Sequence, residues 1–463
     1  MAPASGETYE KCNPWSTGEI VGHFPLSDAT DVAAAVTAAA RAFESWSRMP
    51  FQARAAVLNA AAALVDERAE TIAADMTREM GKPVRESRGE VARAAAILRY
   101  FAGEALRPEG ELFQQAGGGR VFTTRRPVGV VGLITPWNFP AAIPIWKAAP
   151  ALAYGNTVVL KAAREAPLTA LHLGECLVDA GLPDGVLNVI LGPGSSAGAA
   201  LVADDRVAAI SFTGSIPTGT AVRNAATAAG KRVQCELGGQ NPLIVMADAD
   251  LGRAAEASYA GAFWSAGQKC TATRRIYVQA PAYDEFRRLL LERIERGVVG
   301  DPADPATEVG PLVSDTQYRG VTEAIEQGKR EGGTVITSSE PGPGYLVPPT
   351  VFEGVADSAM LSCEEVFGPV TSLYSFETLD EALARANAVP MGLCASIFTS
   401  DVAAADRFSR ELNAGILHVN SQTAGAEVHV PFGGIKGSGW GPHEQGRAAL
   451  EFYTDVVTVY QDA

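Results

Sequence analysis

The sequence is poor in the features that mark secreted, membrane-spanning, metal-dependent or nucleic-acid-binding chains. Its 463 residues hold six cysteines, at 12, 176, 235, 270, 363 and 394, widely scattered and without a CxxC pair. A chain this long needs no disulfide staples, so a reducing, cytoplasmic setting is expected, and a special cysteine should be reactive rather than structural. The five histidines (23, 172, 418, 429 and 443) show no ligand spacing with Cys, Asp or Glu, which predicts no metal site. Long apolar runs are missing too. The most apolar stretch, Val128 to Leu160, is broken by Pro136, Asn138, Pro140, Pro144 and Lys147, so no membrane span is expected. The opening MAPASGETYEKC lacks the basic start and apolar core of a secretory signal. Lysine and arginine (38) are outnumbered by aspartate and glutamate (53), for a net charge of −15. That argues against nucleic acid or an anionic membrane as a main partner. There is no fixed-period repeat and no low-complexity tract.

What is present is alternation. Asp31 to Trp46 and Arg54 to Met80 are Ala-rich, with apolar residues three or four apart, and predict two helices. The GKP at 81–83 stops the second, and a third amphipathic run extends from Val84 to about Glu104. Residues 109–127, with three glycines at 117–119 before VFTTRR, predict a hairpin. From Val128, short apolar runs (VGVVGLI, NTVVLK, GVLNVIL, VAAISF) alternate with helical segments, and a second alternation starts near Pro242. Runs buried on both faces and joined by crossover helices imply doubly wound parallel sheets, here two α/β domains, with FYTDVVTVY as a strand-like tail.

Five segments are candidates for chemistry. Cys270, in GQKCTATRR, lies among small and polar residues directly after Lys269. Positive charge and partial exposure lower a thiol pKa and make a nucleophile; the other reading is a small buried residue. Glu236, in VQCELGGQNP, is either a cap between a strand and a Gly-Gly turn or, in a pocket, a carboxyl raised by desolvation into the range of a general base. Asn138, in TPWNFP, either satisfies backbone groups of a rigid turn or donates to an oxyanion. LGPGSSAG (191–198) and FTGSIPTG (212–219) each follow a predicted buried strand and lead into a helix, so both can cradle a pyrophosphate, although neither matches GxGxxG.

Taken together, TPWNFP (135–140), WKAAPALAYGNTVVLK (146–161), FTGS (212–215), ELGGQNP (236–242), GQKC (267–270), EEVFGPV (364–370) and PFGGIKGSGWG (431–441) resemble the aldehyde dehydrogenase superfamily in order and spacing. The resemblance spans nearly the whole chain. It implies a cofactor-binding domain (1–108 and 128–238), a catalytic domain (239–436) and oligomerisation elements (109–127 and 447–463) that build a homodimer or homotetramer. It implies Cys270 as the nucleophile that forms a thiohemiacetal, Asn138 as the oxyanion donor and Glu236 as the base that activates water to hydrolyse a thioester. Thr135, Pro136, Trp137, Lys161, Arg164, Gly192, Phe212, Gly214, Ser215, Leu237, Glu365 and Phe367 are implied to bind NAD or NADP. Phe139, Trp146 and Phe432 are implied to wall an aldehyde pocket, with Lys269 and Thr271 beside the nucleophile.

Two departures from the family pattern bear on specificity. Arg164 replaces the carboxylate usual three residues after the cofactor lysine, which makes room and charge for a 2′-phosphate and slightly favours NADP over NAD. A one-residue shift that used Glu165 instead would undo this. Lys269 predicts an anionic substrate tail, such as the distal carboxylate of a semialdehyde; the competing reading is a solvated side chain. IPIWK (143–147), FTGSIPTG and the 423–446 segment make the chain most like α-ketoglutaric semialdehyde (2,5-dioxovalerate) dehydrogenases, with neutral aliphatic or aromatic aldehydes as the alternative. The presence of Glu236 speaks for hydrolysis over transfer of the acyl group to coenzyme A. An inactive cofactor-binding relative would not need Cys270, Glu236, Asn138, Lys161 and Glu365 together.

Overall fold

The computed structural model describes residues 5–107, 110–337, 340 and 342–462. Residues 108 and 109, at the predicted boundary before the hairpin, and residue 463, at the end of the tail, lie outside that range. Two large sheets organise the chain. The first has six strands in the order Gly439–Trp440, Arg232–Glu236, Val207–Thr213, Val130–Ile134, Thr157–Ala162, Leu187–Leu191; all are parallel except the short first one. The second has seven, in the order Thr334–Val335, Thr350–Glu353, Val370–Phe376, Thr273–Gln279, Asn241–Val245, Cys394–Phe398, Ile416–Val419, parallel except at its first pair. Strands Val130–Ile134, Thr157–Ala162 and Asn241–Val245 are buried along their whole length. Central strands covered on both faces need such continuous apolar runs rather than alternation.

The helices follow from their patterns with two corrections. The run Arg54 to Met80 is two helices, Phe51–Glu67 and Ala69–Met80, because Arg68 between them leaves helical geometry (φ −95°, ψ 9°). The break lets both apolar faces, Leu58 and Val65 on one and Ile72 and Met76 on the other, enter the same core. In the tail, Phe452 and Tyr453 close a short helix, Ala449–Tyr453, and the strand begins only at Thr454. Both rings are buried, which fixes their segment against the core before the chain runs out along the edge. Strands Leu112–Gln114 and Arg120–Pro127 form the expected hairpin, and Thr454–Gln461 pairs antiparallel along Arg120–Pro127. Gly118 takes the left-handed φ of +86° at the turn.

Among the described residues no helix is long and apolar enough to cross a membrane, and no group of three or more His, Cys, Asp or Glu is arranged to hold a metal ion. One buried ion pair ties the C-terminal segment to the first sheet. Lys147, inside the fully buried helix Ala142–Ala153, bonds Glu444 and donates to Ser211 Oγ at 2.7 Å. Both charged side chains are essentially inaccessible. Removing one partner of such a pair strands the other charge in a low-dielectric site. Lys147→Met is therefore expected to destabilise the protein by about 3–5 kcal/mol. Adding Glu444→Gln should recover more than half of that loss in thermal unfolding; an equal loss in single and double variants would refute the pairing.

Candidate active site

The register of the ladders brings the turns after these strands together. Ile134 pairs with both Lys161 and Phe212, and Thr213 pairs with Glu236. The carboxyl ends of four neighbouring strands therefore stop level with one another, the usual place for a ligand in an open parallel sheet. The second sheet faces them with its amino ends: Gly238 and Gly239 precede strand Asn241–Val245, Cys270 precedes Thr273–Gln279, and Glu365 and Phe367 precede Val370–Phe376. Between the two edges lies a cleft of about 730 Å³. Of the predicted residues, Pro136, Trp137, Asn138, Gly214, Ser215, Leu237, Cys270, Glu365 and Phe367 line it.

Cys270 lies at the cleft, and the electrostatics around it reverse the expectation from its neighbours in sequence. Burial, followed by the Glu365 and Glu236 carboxyls, pushes the thiol up to about 12. The Lys269 ammonium donates to the Ala260 carbonyl at 2.8 Å. Lys269 is buried and outside the cleft lining, so it is neither solvated nor available to a ligand there. Burial brings its pKa down to about 8, against the pull of Glu86. The chain enters Cys270 through Ser265, Ala266 and Gly267, all with left-handed φ (58°, 51° and 65°). Two of those are not glycine, a conformation that persists only where the surroundings enforce it. Arg274, buried, donates to the Gly368 carbonyl at 2.6 Å and also to Gly267, joining the nucleophile turn to the segment after Phe367.

Asn138 is buried beside Cys270 in the cleft wall. Its Nδ2 donates to the Gln268 carbonyl at 3.0 Å and its Oδ1 accepts from the Phe139 amide at 3.1 Å. Glu365 accepts from the Gly239 amide at 3.3 Å, and burial raises it to about 7 against the attraction of Arg274. A Cβ on Gly238 would meet the Glu365 carboxylate at 2.0 Å, so this glycine leaves the space the carboxylate occupies. The Phe367 and Trp137 rings meet edge-to-face at 5.4 Å. Glu236 closes its strand just outside the lining, buried, accepting from the Gly434 amide at 3.3 Å. Its carboxyl is held well above the ordinary range by burial and then by the neighbouring Glu444 charge, with Lys147 pulling the other way.

The remaining predicted residues sit away from the cleft lining. Thr135 donates its amide to the Lys161 carbonyl at 3.2 Å, and Lys161 is buried, its pKa brought down by burial. Glu165 raises Lys161 more than Arg164 lowers it. Arg164 is exposed, its guanidinium 4.7 Å above the Tyr9 ring. Gly192 is packed against Ser27, whose carbonyl a Cβ would strike at 2.6 Å, so it serves a close chain crossing. Phe212 lies under Gly214, where a Cβ would meet its ring at 2.7 Å. Trp146 and Phe432 stack 5.4 Å apart, and Phe432 packs in one apolar cluster with Cys270. Phe139 lies 4.0 Å beneath the Lys82 ammonium, and the Thr271 carbonyl accepts from Thr423 Oγ1 at 2.7 Å.

Sequence reading missed Lys82, Glu86, Glu90, Lys147, Glu444 and Gln317, whose amide donates to the Phe367 carbonyl at 2.7 Å. Lys147 did carry a signal, a charge inside an otherwise apolar run. Lys82 was legible only as part of a helix-stopping GKP. Because the Glu365 carboxylate contributes next after burial to the raised thiol, Glu365→Gln should lower the Cys270 pKa. At pH 8, where Glu365 is ionised, iodoacetamide should alkylate the variant roughly two- to tenfold faster than the wild type. Equal rates would show that this carboxylate does not govern the thiol.

Comparison with known proteins agrees with this geometry. The profile of the aldehyde dehydrogenase family matches residues 1–459. The chain is 44% identical over 463 residues to an α-ketoglutaric semialdehyde dehydrogenase of Bacillus subtilis, covering 98% of this chain and 95% of the relative. It is 44% identical over 448 residues to a betaine aldehyde dehydrogenase of Cereibacter sphaeroides, covering 96% and 92%. The crystal structure of an NAD-dependent aldehyde dehydrogenase from Sinorhizobium meliloti superposes with a TM-score of 0.97 at 37% identity, covering 99% of this chain and 92% of that one. The chain thus belongs to the aldehyde dehydrogenase family and is an NAD(P)-dependent aldehyde dehydrogenase.

Proposed function

We propose that this enzyme oxidises a semialdehyde with a distal carboxylate, of the α-ketoglutaric semialdehyde type, to the corresponding acid by covalent catalysis at Cys270. The observation that carries the reading is the meeting of Cys270, Asn138, Glu365 and Phe367 in one cleft, with Glu236 buried beside it. The cleft suits the nicotinamide half of NAD or NADP. The amino terminus of helix Ile216–Ala228 opens on it through Gly214 and Ser215, a favourable seat for phosphate. Glu365 is placed for ribose hydroxyls and Phe367 for a ring. The dinucleotide, when bound, supplies the hydride acceptor.

The chain's own groups divide the remaining work. The Cys270 thiol gives its proton to solvent water, its sulfur bonds to the aldehyde carbon, and the carbonyl oxygen becomes an alkoxide. The Asn138 amide stabilises that alkoxide, a contribution typically worth about 10²–10³ in rate. Hydride loss leaves a thioester. Glu236 then takes a proton from water as the water oxygen bonds to the acyl carbon, and the C–S bond breaks. A carboxyl with raised pKa suits such a proton transfer near neutrality.

For the substrate tail, Lys269 is occupied by the Ala260 carbonyl, and Arg93 takes its place in this proposal. Arg93, on helix Val84–Glu104, donates to the Ala426 carbonyl, and Ala426 packs in the cluster that holds Cys270 and Phe432. The Trp146 indole N–H, buried in the same wall, has no hydrogen-bond partner among the described residues. A guanidinium matches a carboxylate in shape and charge, whereas the quaternary ammonium of betaine aldehyde would be repelled. Arg164, exposed at the far end of the site, supports acceptance of NADP with a slight preference over NAD.

The assay is reduced-cofactor formation with α-ketoglutaric semialdehyde, betaine aldehyde, and neutral aliphatic and aromatic aldehydes, each with NAD and NADP. The carboxylated aldehyde should give the highest kcat/KM, NADP the lower cofactor KM, and Arg93→Met should raise KM for the carboxylated aldehyde about tenfold without changing that for the neutral ones. Preference for a neutral aldehyde would refute the substrate assignment and leave the dehydrogenase intact. We also propose self-association through the outer three-stranded sheet, which exposes Leu112, Phe113, Val456 and Tyr460. Sedimentation should show a dimer or tetramer that Val456→Glu shifts toward monomer.

A further inference from the structure

Two polar devices at the start of one helix, one buried and one half-buried, hold the oxyanion turn and the nucleophile turn, and neither belongs to the cleft lining. Lys82 and Glu90 form a buried ion pair, 2% and 5% exposed, at the start of helix Val84–Glu104. The Lys82 ammonium also donates to the Asn138 carbonyl at 2.7 Å and sits over the Phe139 ring. The other oxygen of Glu90 accepts from the amides of Ala141 and Ala142, at 2.8 and 3.0 Å, which are the first free donors of helix Ala142–Ala153. The turn between strand Val130–Ile134 and that helix is thus gripped at its carbonyl, its ring and its two amides. One turn earlier on the same gripping helix, Glu86 accepts from the Ser265 amide at 3.0 Å and from its hydroxyl at 2.5 Å. Ser265 opens the left-handed run that delivers Cys270.

We propose that Lys82, Glu86 and Glu90 are positioning residues that set the Asn138 amide against the Cys270 sulfur. The inference rests on the reading of Asn138 as oxyanion donor. The two turns belong to different sheets, and among the described residues no strand pairing joins those sheets. Helix Val84–Glu104 spans the gap by hydrogen bonds of fixed length. Buried charges are costly, and a satisfied ion pair contributes geometry more reliably than stability. An error of about 1 Å in such an alignment can lower a rate by about 10²-fold.

The test compares three reactions of the full-length enzyme. Aldehyde oxidation and acylation by p-nitrophenyl acetate both pass through a tetrahedral oxyanion at Cys270; alkylation by iodoacetamide displaces iodide at a saturated carbon and does not. Lys82→Met and Glu90→Gln should lower kcat and the acylation rate roughly 10- to 100-fold, approaching Asn138→Ala. Alkylation and cofactor KM should stay within about twofold, and Lys82→Arg should restore part of the rate. Glu86→Gln, which leaves the Lys82–Glu90 pair whole, gives an independent reading and should cost about tenfold in the same two reactions. Unchanged acylation in these variants, or alkylation falling in parallel with it, overturns the proposal. Unchanged acylation in Asn138→Ala would instead remove the oxyanion reading beneath it.

Discussion

Opposed strand ends are the constraint on which the site depends. Parallel strands send their carboxyl ends to one edge of a sheet, and in the first sheet the ladder holds residues 134, 161, 212 and 236 at that edge. The second sheet offers its amino ends, so the loops at 238–239, 268–271 and 364–368 enter the cleft from the other side. Because strand register moves in whole residues, a slip in either sheet would carry Glu236 or Cys270 out of the site entirely. The glycines at the seam are part of this constraint. A side chain at Gly238 would displace Glu365, and one at Gly433 would come within 2.8 Å of the Glu236 carboxylate.

Burial governs the ionisable groups of the site. Cys270 is buried near two carboxyls, and the adjacent lysine donates to a backbone carbonyl. Burial and these carboxyls together favour the protonated thiol over the thiolate. Glu236 and Glu365 are raised as well, by the same burial. Glu444 adds to the rise of Glu236 while Lys147 opposes it, so the ion pair that ties down the C-terminal segment also acts on this carboxyl.

Helix Val84–Glu104 shows how a structural element acquires a functional edge. Its apolar face, including Val91, Leu98 and Phe101, builds the core. Its first turns carry the polar groups that reach both reactive turns. Amphipathic periodicity predicted the helix and its limits correctly, yet periodicity counts Lys82, Glu86 and Glu90 as polar positions and expects them in solvent. Two of them, Lys82 and Glu90, are buried because the turn at 138–142 offers a carbonyl and two amides that would otherwise lack partners.

What the sequence determined by itself was local or cumulative. Continuous apolar runs specify buried parallel strands, and glycine at Gly118 and GKP at 81–83 specify where elements turn or stop. The blocks around Asn138, Glu236, Cys270 and Glu365 carry the family and the reaction. What only the tertiary structure decided was direction and company. Lys269 adjoins Cys270 in the chain, yet its ammonium goes to Ala260, because the left-handed turn at 265–267 folds that carbonyl within its reach. Arg68 breaks one periodic run into two helices because two faces had to meet one core. A thiol expected to be activated by a neighbouring cation is instead raised by burial, and then by carboxyls 95 and 34 residues away in sequence, Glu365 and Glu236. Periodicity is summed along the chain, whereas an electrostatic field falls off with distance through space, so only the folded arrangement sets the charge state of the site.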